Sequence, residues 1–373
     1  MTTPVYEQLA DALRARGGAV PAIKCPEFYA LLEELFTPEE AEIGVKMPLS
    51  PIPVETFAQE IAGGDPQDVE KLLETMADKG VVFTLDRGGV RHYALMPLLP
   101  GIFEMQLMKG EVNDRTKKLA RLFQDYFNVV SGLREGTAPD VSAFPSARVI
   151  TVEQEIQAGV EIYPYDKVSE YIANSDYITV SICYCRHHGE LLGNPCDKPK
   201  DVCLSFGPNA KYIAERGFGR LLSKEEALEV LDRSEKAGLV HCSSNTGKYI
   251  DLICNCCSCH CIILQSIKGA VLVSRLATSG FIMVVDEEEC MGCGDCIHRC
   301  QVEALSIQDD IVTRDADRCI GCGLCISVCP TSALRMEPRE QRPIPPRDRR
   351  ELNMAMMASI PRSEAMPGEE AKK

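Results

Sequence analysis

The stretch Glu289–Gln301, ECMGCGDCIHRCQ, returns almost unchanged as RCIGCGLCISVCP at Arg318–Pro330. Cys290, Cys293, Cys296 and Cys300 in the first copy keep the same intervals as Cys319, Cys322, Cys325 and Cys329 in the second, each 29 positions from its counterpart. Asp286 aligns with Asp315, and Ala304-Leu305 with Ala333-Leu334, so the segment is an internal duplication. A zinc site needs only two pairs of thiolates, and three successive cysteines at two-residue intervals exceed that need. The same spacing lets a short loop wrap three corners of an iron–sulfur cubane, with Gly292, Gly294, Gly321 and Gly323 leaving room for backbone amides near the sulfides.

Over Asp286–Met336 the chain resembles a bacterial-type 2[4Fe–4S] ferredoxin. The resemblance implies that the fourth cysteine of each motif serves the other motif's cluster. Cluster one then takes Cys290, Cys293, Cys296 and Cys329, and cluster two takes Cys319, Cys322, Cys325 and Cys300. Gln301 stands where that family has proline, whereas Pro330 keeps it. Clusters with four thiolates each are coordinatively full, so the expected task is moving single electrons rather than binding substrate. Between Asp286 and Asp317 there are ten acidic residues against two arginines, Arg299 and Arg314. Such surroundings lower the reduction potential and steer a redox partner with a basic docking face.

The net charge of −15 over 373 residues disfavours wholesale binding of nucleic acid. Eighteen of the 19 cysteines fall between Cys183 and Cys329. The first residues, MTTPVYEQLADALRARGG, have neither an apolar signal core nor a twin-arginine pair, so the expected location is a reducing cytoplasm where thiols persist. The most apolar late run, Ile262–Val285, is broken by Lys268 and Arg275, and no membrane insertion is expected.

Eleven cysteines remain outside the duplication, Cys25 near the N-terminus and ten between Cys183 and Cys261. Cys183, Cys185, Cys196 and Cys203 lie in CYCRHHGELLGNPCDKPKDVC, Cys242 in GLVHCSSN, and Cys254, Cys256, Cys257, Cys259 and Cys261 in CNCCSCHC. In a continuous strand Cys183 and Cys185 share a face, and Cys254 and Cys256 oppose Cys257, Cys259 and Cys261, so the dense run either turns sharply or serves two sites. Cys183, Cys185, Cys196, Cys203, Cys254, Cys256, Cys257, Cys259 and Cys261 are the candidate ligands of at least one further iron–sulfur cluster. Structural zinc and redox-active thiols are the alternatives. Histidines 187, 188, 241 and 260 lie among them; each alone reads more simply as an ordinary polar side chain. The cysteine pattern over about 165–336 is similar to that of ferredoxin-domain proteins of anaerobes, a resemblance that names no reaction. No P-loop, dinucleotide fingerprint or nucleophile elbow competes, and no catalytic residue is assigned.

Near the N-terminus, VETFAQEIAGGDPQ, DVEKLLETMADKGVVF and VVFTLDRGGVRHYAL read as helix, turn, helix and hairpin, an order that resembles a winged helix. Val54–Met96 carries eight acidic residues against four basic, the wrong sign for phosphate contacts, so docking is favoured over DNA binding. The expected fold is α+β and multidomain. It comprises a winged-helix-like module over 1–134, a Cys-rich α/β domain over 148–280, a two-cluster ferredoxin-like domain over 281–336 and a disordered tail over 337–373. The expected function is a multi-cluster relay of low-potential electrons between partner proteins. The alternatives are an oxidoreductase or activase with a substrate-binding cluster in the middle domain, and a cluster-gated winged-helix regulator.

Overall fold

The computed structural model describes residues 4–18, 20–134, 144–158, 160–162, 166–268 and 278–359. The chain mixes helices with several small sheets and forms two compact units, Met1–Gly136 with Ser175–Asp232, and Thr137–Asn174 with Arg233–Lys373. The middle cysteines are therefore shared between the units. The expected linker falls largely outside the described residues.

The first unit opens with α1 (Pro4–Ala15), α2 (Pro26–Leu35) and α3 (Pro38–Lys46). Each begins at proline, which forfeits no hydrogen bond in a first turn, and Thr37 and Glu40 cap α3 reciprocally. After β1 (Ile52–Pro53), helix α4 (Val54–Phe57) continues through a wider turn to Ala62, and Asp65 caps α5 (Pro66–Asp78). Val69, Leu73 and Met76 are buried along one face of α5, which Gly80 ends at φ 74°. Strands β2 (Val82–Arg87) and β3 (Val90–Leu95) meet through Gly88 and Gly89, both at positive φ as a two-residue hairpin turn requires, and β1 pairs with β3. Then come α6 (Phe103–Leu107) and α7 (Asp114–Arg134), the latter capped by Asn113 and Thr116.

The chain contributes β4 (Ala147–Ile150) and α8 (Val168–Ala173) to the second unit and then returns. The first unit continues with β5 (Ile178–Ile182), α9 (Tyr184–Leu191), β6 (Asp201–Phe206), α10 (Gly207–Glu215) and β7 (Arg220–Leu221), before α11 (Lys224–Lys236). Strand β5 runs antiparallel to both β6 and β7. The Tyr212 hydroxyl of α10 bonds to the carbonyls of Ala77 and Val82 at 2.9 and 3.0 Å. Around it, Arg216 pairs with Glu74 and Asp78, Arg91 with Asp86 and Glu215, and Lys211 with Asp86.

Hydrogen bonds from Lys211 and Arg91 hold the Asp86 carboxyl below its ordinary value. Burial works to raise Glu74, but Arg216 and Tyr93 bring it lower on balance. A carboxylate depressed in the folded state stabilises above its unfolded pKa of about 4, and that contribution is lost as pH falls through the depressed value. The thermal midpoint of the full chain is accordingly expected to fall as pH drops below about 4. Asp86→Asn is expected to lower the midpoint at pH 7 and flatten its acid limb; an acid limb as steep as the parent's would contradict the role given to Asp86.

In the second unit, β8 (Val240–Ser244) lies between β4 and β9 (Leu252–Cys256), antiparallel to both. After a turn come α12 (Ile262–Lys268), β10 (Phe281–Val285), α13 (Asp295–Arg299), the hairpin of β11 (Leu305–Gln308) and β12 (Ile311–Arg314), and β13 (Leu334–Pro338), which pairs with β10. The tail expected to be disordered is instead ordered as far as residue 359, ending in α14 (Arg349–Ser359). Its composition is polar, but Leu352 is buried, Arg349 pairs with Asp251, and the Gly247 and Lys248 amides bond to the carbonyls of Pro346 and Arg347. Residues 360–373 lie outside those described.

Candidate metal centre

Strands β10 and β13 pair in full register from Phe281↔Pro338 to Val285↔Leu334 and so clamp the two ends of the duplicated segment together. Between them the two cysteine loops depend on glycines for backbone approach. Gly292 has φ 64°, and a Cβ there would run into the carbonyl oxygen of Asp310. Gly321 has φ 71°, and a Cβ would run into the Phe281 carbonyl and the Ser279 hydroxyl. The Gly321 carbonyl accepts from the hydroxyls of Thr151 and Ser279, both at 2.8 Å, and the Val152 amide donates to the Cys322 carbonyl at 3.0 Å.

Seven of the eight thiols are within electrostatic range of one another in overlapping groups. Cys296 lies in electrostatic range of Cys293 and Cys329, and Cys322 in range of Cys300 and Cys319. Cys325 faces Cys322, Cys319 and Cys300 and also lies in range of Cys296, and Cys329 and Cys300 each meet cysteines of the opposite motif. The Ala304 amide donates to Cys300 Sγ at 3.3 Å and the Val312 amide to Cys290 Sγ at 3.5 Å, contacts that favour negative charge on sulfur. Burial pushes the Cys322 thiol up to about 12, and burial first, then the neighbouring thiols, push Cys325 well above its ordinary value. Thiolates are costly here unless positive charge compensates them, and iron held by four of these thiols would supply that charge. The residues fit the group.

Two side chains flanking Cys300 dock on the middle of the sequence. Arg299 donates to the carbonyls of Lys236, at 3.0 Å, and Glu235, and the Gln301 side-chain oxygen accepts from the Ser258 amide at 2.9 Å. Proline at 301 has no acceptor to offer Ser258. The departure from the ferredoxin pattern thus has a local reason.

The middle cysteines form separate groups. In the first unit, the strand expected to run through Cys185 stops at Ile182, and Cys183 becomes the N-cap of α9, so Cys183 and Cys185 flank a helix start rather than share a strand face. The Cys183 thiol meets those of Cys185 and Cys203, and these hydrogen bonds, with Arg186 nearby, hold it well below its ordinary value although burial opposes them. Cys196 is half-buried in that unit, beside Asp197. Both ring nitrogens of His187 are engaged, by Glu190 and the Glu111 carbonyl, and His188 bonds to the Ala120 carbonyl. In the second unit the dense run both turns and serves two groups. Strand β9 ends at Cys256; beyond it Cys257, Cys259 and His260 bring donor atoms within 4.8 Å of one another, with the Cys257 and Cys259 sulfurs 2.8 Å apart. Cys254, Cys256 and Cys261 gather instead with Cys242, which the sequence does not single out. His241 is occupied by Asn255 and Glu235. Among the described residues no two cysteines form a disulfide, and no helix is long and apolar enough to cross a membrane.

Residues 283–336 match the family model of the 4Fe–4S dicluster domain. No curated protein and no solved structure matches the chain. The C-terminal segment is therefore a 4Fe–4S dicluster domain of the kind the duplicated motif resembles, the protein is an iron–sulfur protein, and the middle cysteine groups fit further cluster sites.

Proposed function

We propose that this protein relays single low-potential electrons between partner proteins, using its dicluster domain as the relay and the helix, helix and hairpin of residues 54–95 as a winged-helix-like docking module. The clusters, when bound, take up and release one electron each. In this reading Cys290, Cys293, Cys296 and Cys329 hold one, and Cys319, Cys322, Cys325 and Cys300 hold the other. The carrying observation is the neighbourhood of Cys329 with Cys296 and of Cys300 with Cys319 and Cys322.

The chain's own groups support the role. Amides of Ala304 and Val312 donate to cysteine sulfur, and Arg339 and Arg318 donate to the carbonyls of Cys319 and Val302, which stiffens the loops around buried thiols. Asp286, Glu287, Glu288, Glu289, Asp309 and Asp310 are all exposed, an acidic face suited to a basic electron acceptor or donor. In the docking module Glu74, Asp78 and Asp86 are held by Arg216, Arg91 and Lys211, so its acidic surplus is partly spent on internal pairs. What remains is still the wrong sign for a phosphate backbone.

The test is anaerobic stopped-flow transfer from the reduced full chain to a basic haem protein at increasing ionic strength. The rate is expected to fall roughly tenfold from low to high salt, and replacing Glu287, Glu288 and Glu289 by glutamine should lower it at low salt only. A rate indifferent to both salt and the triple substitution would remove the relay reading.

A further inference from the structure

Four thiols of the second unit lie on one side of a sheet. Cys242 sits in β8 directly opposite Cys254 of β9, so the two project from the same face, and Cys256, two residues on, projects from it as well. The chain then turns, closed by the Cys261 amide donating to the Cys257 carbonyl at 3.1 Å, and Cys261 comes back at the start of α12. The Cys256 thiol is in hydrogen-bonding contact with those of Cys242, Cys254 and Cys261. Cys242, Cys256 and Cys261 are 2%, 6% and 6% exposed and belong to an apolar core that also contains Cys296 and Cys319, with the half-buried Cys254 and Cys322 packed against it. The opposite face of the same strands carries the His241–Asn255 pair and the buried Ile253.

Their placement has a second aspect. Val149 of β4 is the register partner of Cys242 on its other side, and three residues further along this segment the Val152 amide bonds to the Cys322 carbonyl. Thr151 between them donates to the Gly321 carbonyl. One strand and two hydrogen bonds therefore connect Cys242 with the second cysteine loop of the dicluster domain.

We infer that Cys242, Cys254, Cys256 and Cys261 together hold a third iron–sulfur cluster, of the four-thiolate [4Fe–4S] class, seated beside the Gly321–Cys322 loop. A structural zinc ion is the competing occupant of four thiolates. The inference deepens the relay reading and rests on it, because a third redox centre adjoining the second motif extends the chain of electron carriers.

The test is the iron, sulfide and zinc content of the anaerobically purified full chain, with EPR of the reduced protein, for the parent and for Cys242→Ser. The variant is expected to lose about four irons and about four sulfides while keeping the dicluster signals, and those signals should sharpen because a neighbouring spin has gone. Cys254→Ser, at the half-buried member of the group, should give the same loss and serves where Cys242→Ser does not fold. Unchanged iron in either soluble variant, or loss of about one zinc and no sulfide, overturns the inference, as does a parent protein with only about eight irons. A parent that has the extra irons but passes no electron to the haem acceptor would instead defeat the relay reading and leave this site standing.

Discussion

Gly321→Ala in the full-length protein is expected to cost about four irons per chain, together with the EPR signal of one cluster. Two penalties combine at this residue. Its φ of 71° lies in the left-handed region, which costs a residue with a Cβ roughly 1–2 kcal/mol. The added carbon would also overlap the backbone carbonyl of Phe281, in the strand that clamps the domain, and the Ser279 hydroxyl that bonds to the Gly321 carbonyl. Backbone cannot move aside as a flexible side chain does, so the loop carrying Cys319 and Cys322 must shift. Gly294→Ala is the control: φ is 83°, but the nearest atom to the new carbon is Ile307 Cδ1 at 3.8 Å. It pays only the conformational cost and should keep its iron with a modestly lower thermal midpoint. Equal iron contents in the two variants would show that close approach at Gly321 is not what shapes the loop.

The second large effect is a pattern of iron losses. Under the crossed assignment, Cys300→Ser removes the cluster of the second motif and Cys329→Ser that of the first. The double variant Cys300→Ser with Cys322→Ser should then lose about four irons, no more than either single change, because both residues serve one cluster. Cys300→Ser with Cys293→Ser should lose about eight, because two clusters are hit. If the outcomes are exchanged, each motif binds its own cluster and the crossed arrangement fails. Iron and sulfide analysis on anaerobic samples decides between them.

The duplicated segment was the most legible part of the chain. Eight cysteines at matched intervals constrain the backbone so tightly that loop, glycine positions and family could be read without tertiary information. The helices and hairpin of residues 54–95 were legible for another reason: Val69, Leu73 and Met76 mark one helical face, and the Gly88-Gly89 pair marks a turn. The middle region was not. Alternation along CNCCSCHC assumes a continuing strand, but β9 stops at Cys256; cross-strand register, which no local pattern reveals, groups Cys254 and Cys256 with Cys242, and a turn brings Cys261 back to them. The interleaving of the two units was hidden likewise, since residues 175–232 carry no composition shift at either end. Residues 337–359 were misjudged because a polar composition conceals the buried Leu352 and the ion pair at Arg349.

A repeat that arises by copying begins as two interchangeable parts. Arg299 and Gln301 end that equivalence, because their counterparts in the second copy, Val328 and Pro330, cannot offer the Glu235 and Lys236 carbonyls a guanidinium or the Ser258 amide an acceptor. These two grips belong to the first copy, whereas the second copy meets the middle of the sequence through its Gly321 and Cys322 carbonyls, which accept from Thr151 and Val152. Exchanging the two motifs would preserve every cysteine interval and yet move these grips 29 positions away from the groups they hold. The cysteine spacing records the ancestry of the domain; two residues beside Cys300 record its commitment to this one chain.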